Sequence, residues 1–133
     1  MKSVFVSTFV FLISLHITNA QTCADAAKEV APTMSAETKL DYEKKLDEVR
    51  KIALTAPSGG DVDSLVWYGR RTAYTGRYKE AIAIFTKAIN RWPQDARAYR
   101  HRGHRYITLR CFDDAIRDFE TAAKLVKGKP DEI

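Results

Sequence analysis

The sequence predicts an all-α protein, an α-solenoid of two helix-turn-helix repeats preceded by an amphipathic helix. Three observations carry that prediction. Apolar residues beyond Ser35 recur at helical spacing, a 34-residue stretch opening at Asp61 is followed by another that repeats its pattern, and glycine or proline marks the junctions. A chain of 133 residues supports one domain.

Residues 1–20 read as a secretory signal peptide. Lys2 is followed by an apolar run from Val4 to Ile17 and then by Thr18-Asn19-Ala20, a small-residue cleavage site. The run is shorter than the roughly 20 apolar residues a membrane span needs, and Ser7, Thr8, Ser14 and His16 interrupt it. The expected protein is therefore exported, periplasmic or secreted, with no stable membrane span in the mature chain. Loss of Lys2 lowers the net charge from +5 to +4, which leaves the protein basic.

Residues 21–34 are expected to form a flexible tail. Export places Cys23 and Cys111 where disulfides persist, and two cysteines permit one bridge. The alternative is a cysteine in a mobile tail and another that is a small turn residue. Residues 35–55 form the leading helix: Tyr42, Leu46, Val49 and Ala53 fall on one stripe, Ser35 caps the start, and Pro57, Gly59 and Gly60 end it.

The two copies span 61–94 and 95–128. Identities fall at Asp61/Asp95, Gly69/Gly103, Arg71/Arg105, Ala81/Ala115, Ile82/Ile116, Phe85/Phe119 and Ala88/Ala122, and Tyr78 matches Phe112. Each copy opens on an aspartate suited to a helix cap. Glycine inside the first helix costs about 1 kcal/mol relative to alanine, so close approach of the second helix must offset it. The four alanines permit that approach, and Phe85 and Phe119 are expected to fill the space between helices. Lys79, between the helices of the first copy, is expected at the surface.

This pattern resembles the tetratricopeptide repeat, a helix-turn-helix unit of 34 residues. Departures are Arg102 where Tyr68 fits the usual large apolar slot, Thr72 where Tyr106 supplies the usual aromatic, and Lys127 in place of Pro93. The leading helix is expected to cover the N-terminal side of the pair. The last helix, about Phe112 to Lys127, has no such cover in sight, and 129–133 read as a tail or as the point where a longer array is cut. An apolar strip including Ile116, Ala123 and Val126 then predicts self-association through the C-terminal helix.

On the first helix of the second copy, Arg97, Arg100, His104 and Thr108 share one stripe, while Tyr99, Gly103 and Tyr106 share the stripe expected to be buried. The corresponding first-copy positions are Asp63, Val66, Arg70 and Tyr74. The resemblance implies that these first helices line a concave groove, with Trp67 and His101 along its edge. It also implies a scaffold that binds a protein or peptide partner. Trp67, Arg70, Tyr74, Arg97, Arg100, His101 and His104 are the expected groove residues, and their arginines suit an acidic segment. The lysine and asparagine clamp of chaperone-binding members is absent, since Val66 and Arg70 hold its first-copy slots.

Polyanion binding, to a polysaccharide or nucleic acid, is the alternative, although export argues against intracellular nucleic acid. His101 and His104 lack an adjacent third ligand, so no metal or other cofactor is expected. The sequence has no glycine-rich phosphate loop and no nucleophile-base spacing. Adjacent Asp113 and Asp114 suit a helix start better than an acid-base pair, and no catalysis is expected.

Overall fold

The computed structural model describes residues 22–55 and 60–127, with the side chain of Thr55 left aside. The expected signal peptide, the expected C-terminal tail and the breakers Pro57 and Gly59 lie outside them. The helices are α1 Cys23–Ala26, α2 Ala36–Thr55, α3 Val62–Tyr74, α4 Tyr78–Arg91, α5 Ala96–Thr108 and α6 Phe112–Leu125, and no strand forms among the described residues. None of these helices is long and apolar enough to cross a membrane.

Local chemistry sets the starts. The Ser35 hydroxyl accepts from the Thr38 amide at 3.1 Å, Asp61 accepts from Ser64 at 2.7 Å, and Asp95 accepts from Arg97 at 3.0 Å. Helices α2 to α6 then pack in chain order, each against the next, and α3 also touches α5. Gly69 is a requirement of that packing: a methyl group there would lie 2.5 Å from Phe85 Cε1. The same approach recurs at Gly103, where the contact to Phe119 would be 2.9 Å. One core cluster joins Leu46 and Ala53 of α2 to Leu65, Val66 and Tyr68 of α3, Ile84, Ala88 and Ile89 of α4, and Ala98 of α5. Burial of its apolar surface supplies the main stabilisation, at about 25 cal/mol per Å² removed from water.

The irregularities of the second copy have structural answers. Arg102 stands at the place of Tyr68, and Asp118 stands one repeat beyond Ile84. Where the first copy buries an apolar pair, the second buries a two-pronged ion pair, with Arg102 Nη2 to Asp118 Oδ1 at 2.7 Å and Nε to Oδ2 at 2.8 Å. The third guanidinium arm donates to the Thr86 hydroxyl at 2.9 Å. Thr72, fully buried, satisfies its hydroxyl on the Tyr68 carbonyl at 2.9 Å. Lys127 follows α6 with φ 53°, so a left-handed residue stands where Pro93 follows α4.

The largest departure from expectation is at the N-terminal side. Thr22 to Pro32 is a strap, not a flexible tail. A reciprocal cap between Thr22 and Asp25 starts α1, and a disulfide joins Cys23 to Cys111, 88 residues away. Ala24 is buried with Ala73, Tyr78, Ala81, Ile82, Phe85, Leu109 and Cys111. Gly76, at φ +85°, lies so close beneath the strap that a methyl group would meet Ala31 Cβ at 2.6 Å. Lys79, expected to be an idle surface residue, holds the strap: its amide donates to Glu29 at 2.6 Å and its Nζ to the Asp25 carbonyl at 2.8 Å.

Burial also differs between the copies at matched positions. Tyr78 and Ile82 are 8% exposed, whereas Phe112 and Ile116 are 53% and 54% exposed. The strap and the Tyr106–Cys111 corner cover the first pair. Phe119 is half-buried, unlike Phe85, which was expected to be its equal in the core.

Candidate functional site

Helices α3 and α5 approach each other above the Phe85 ring and leave a pocket of about 220 Å³. Arg70, Ala73 and Tyr74 of α3 line it from one side, and Arg100, His101, His104 and Arg105 of α5 from the other. No aspartate or glutamate is in its wall.

Five of the residues singled out from sequence spacing therefore meet here: Arg70, Tyr74, Arg100, His101 and His104. Arg70 Nη2 donates to the Tyr74 hydroxyl at 3.2 Å, and its guanidinium stacks 4.2 Å from the Trp67 ring centre. Trp67 is 42% exposed and reaches the site through Arg70. His101 was expected on the rim. It lies instead on the floor, stacked on Phe85 with ring centres 5.8 Å apart. His104 is exposed, and its ring meets that of Phe119 in a T-shaped contact with centres 5.1 Å apart.

Arg97 does not line this pocket. Its guanidinium binds Asp95 and, across the repeats, Asp63, both at 2.6 Å. Hydrogen bonding to Asp95 first, and then to Asp63, holds it charged more firmly than an ordinary arginine. It staples the two copies. Val66, expected on the groove stripe, is buried in the core instead. On the stripe expected to be buried, Gly103 is enclosed while Tyr99 and Tyr106 are half-buried.

Sequence spacing did not single out Arg105 as a site residue. It repeats Arg71, and the match was visible, but its approach to the pocket depends on how α5 settles against α4, where it lies 5.9 Å from the Tyr78 ring centre. Burial lowers its pKa from the usual arginine range. Burial also depresses His101, helped by the charges of Arg70, Arg100, His104 and Arg105, to about 4. His101 is therefore a neutral ring at pH 7, and its Nε2 is enclosed without a hydrogen-bond partner among the described residues. The arrangement can attract an anion. It presents no nucleophile beside a base and no convergent set of metal ligands. Cys23, Cys111 and Asp114 do cluster elsewhere, but the two sulfurs are bonded to each other.

No family model and no curated protein matches the chain. A solved structure described as "MamA MSR-1 C2", of a tetratricopeptide-repeat-containing protein, is similar in fold, with a TM-score of 0.60 at 20% identity. The similarity covers 71% of this chain and 52% of that one, so the chain spans about half the length of the structure it matches. The fold is thus all-α and tetratricopeptide-like.

Proposed function

We propose that this chain is an exported tetratricopeptide-repeat scaffold that performs no chemistry and holds an acidic segment of a protein or peptide partner in its basic concave groove. One observation carries the reading: Arg70, Arg100, Arg105 and His104 converge on a pocket whose wall contains no carboxylate. Guanidinium groups recognise carboxylates through paired N–H donors, and a concave helical wall admits an extended segment. Export is supported by the composition of residues 1–20 and agrees with the bridge between Cys23 and Cys111.

The test is binding of matched acidic and neutral peptides, followed by calorimetry, to the wild type and to Arg70→Gln/Arg100→Gln. Acidic peptides should bind selectively and lose at least about tenfold in affinity with the double variant, the scale of one lost charged hydrogen bond or more. Equal binding of both peptides sinks the reading. If a polysaccharide or nucleic acid binds instead, with affinity collapsing as salt rises and little sequence preference, the polyanion alternative replaces it.

A second reading concerns a partner of the same kind. The exposure of Phe112 and Ile116, against burial of Tyr78 and Ile82 one repeat earlier, favours self-association of two copies through α6. Asp113 and Asp114 start that helix and Lys124 closes it, so an antiparallel pairing sets acids against bases.

A further inference from the structure

We propose that the pocket between α3 and α5 receives a phosphate monoester, with Arg70 and Arg105 as its two charge partners. This rests on reading the groove as a peptide site and specifies the group that enters it.

Two groups of arginines contrast in this protein. Arg77, Arg97, Arg102 and Arg117 each meet a carboxylate. Arg70 and Arg105 meet none among the described residues, although both line the pocket and both are partly buried. Their neighbours include aromatic rings: Trp67 and Tyr74 for Arg70, and Tyr78 for Arg105. Withdrawing a guanidinium from water without a counter-ion is unfavourable, so two such groups lining one pocket favour an anion between them. Arg100 adds a third guanidinium to the same wall.

The charge decides the class of anion. A carboxylate brings one negative charge and matches one of the two arginines. A phosphate monoester brings about −1.5 to −2 near neutral pH and three acceptor oxygens, enough to engage both forks. The volume agrees. Pockets that enclose a whole small molecule run to roughly 300–1,000 Å³, whereas this one, at about 220 Å³, suits a single group at the end of a side chain.

His101 makes the site observable. It lies on the floor among Arg70, Arg100, His104 and Arg105, and the charged form is disfavoured first by burial and then by those cations. A phosphate over the floor, at least a monoanion where His101 titrates, offsets the field of those cations, so His101 should titrate at higher pH when the pocket is filled.

The experiment uses the whole disulfide-bonded chain and follows the His101 imidazole by NMR. The probes are inorganic phosphate and one peptide in phosphoserine, glutamate and serine versions. Phosphate should move the His101 titration upward by about one pH unit or more, as cancelled neighbouring charges predict. The phosphoserine peptide should bind at least about tenfold more tightly than the glutamate peptide, the gain expected from a second charge-assisted contact. Arg70→Gln should abolish both effects, and so should Arg105→Gln. The two variants are read separately, so the test stays readable if one of them fails to fold. Lys87→Gln, on the exposed side of α4, should change neither. Equal affinity for the glutamate and phosphoserine peptides overturns the phosphate assignment and leaves the acidic-peptide groove standing. A response of His101 to inorganic phosphate with no binding of any peptide does the reverse. An unmoved His101 together with no phosphopeptide preference removes the proposal.

Discussion

Phe85 is 1% exposed and closes over Gly69, while its counterpart Phe119 is half-buried and meets His104. Phe85→Ala should therefore destabilise by about 3–5 kcal/mol, and Phe119→Ala by roughly half that, because part of its ring already meets water. Thermal melting of the two variants checks the ordering, which equal losses would contradict. The Arg102–Asp118 pair tests a different term. Asp118→Ala leaves a guanidinium buried without its partner and should cost about 3–5 kcal/mol, whereas Arg102→Tyr/Asp118→Ile, which restores the residues of the first copy, should recover most of that loss. Denaturant midpoints of the two variants decide it, and a double variant no more stable than the single one would show that the slot tolerates no apolar pair. His101 gives a pH dependence of fixed sign. Its folded pKa, about 4, lies below the usual value of 6.5, so the unfolded chain binds more protons between those limits. Stability from this residue is present above about pH 6.5 and is lost as pH falls toward about 4, on the order of 1–3 kcal/mol after solvent screening. Denaturant midpoints at about pH 7.5 and about pH 4.5 should differ more for the wild type than for His101→Phe, which removes the titration while keeping a ring on Phe85.

The strap joins elements far apart in the chain: Cys23 to Cys111, Glu29 to Lys79, and Ala31 to Gly76. Replacing both cysteines by serine frees a long loop in the unfolded state and should lower stability by about 4–5 kcal/mol in the chain-entropy picture. If the strap is also what protects the Tyr78–Ile82 surface, the variant should expose that surface to dye binding and to proteolysis between Ala27 and Ser35. Unchanged melting and unchanged protection would mean that the non-covalent contacts hold the strap alone. The same element explains what was legible before the structure. Helices α2 to α6 announced themselves because their apolar period recurs within a few residues; spacing put Arg100 and His104 on one stripe of α5, and the repeat resemblance set Arg70 of α3 opposite them. The strap has no period, and its partners lie 50 and 54 residues away at Lys79, so only the cysteine count hinted at it. Asp118 stayed hidden for a related reason. An acid in an apolar slot looks like a surface residue until Arg102, 16 positions earlier, is brought beside it. His101 and Arg105 depend on where α4 puts Phe85 and Tyr78, which helix periodicity within α5 does not contain.

At the scale of the whole molecule the repeat itself supplies the control for the exposed face. Tyr78, Ile82 and Ile89 on α4 are each 8% exposed because the strap, α5 and the rest of the core cover them, whereas Phe112, Ile116 and Ala123, one repeat later, are open. A face that is apolar in both copies but covered in one retains its preference for cover, worth about 25 cal/mol for every Å² it would bury. Two copies meeting antiparallel along α6 bring Phe112 and Ile116 of each toward the later turns of the other, where Ala123 leaves room, and set Asp113 and Asp114 toward Lys124. Sedimentation velocity over a wide concentration range should show a reversible dimer. Its affinity should weaken by at least about tenfold in Ile116→Ser and further in Phe112→Ser/Ile116→Ser, since each truncation removes a large apolar contact from both sides of a two-fold interface. Neither position is buried in the single copy, so melting of the dilute variants should stay within about 0.5 kcal/mol of wild type, which separates lost association from lost folding. A wild type that remains monomeric at every concentration would show that this face is covered by something other than a second copy.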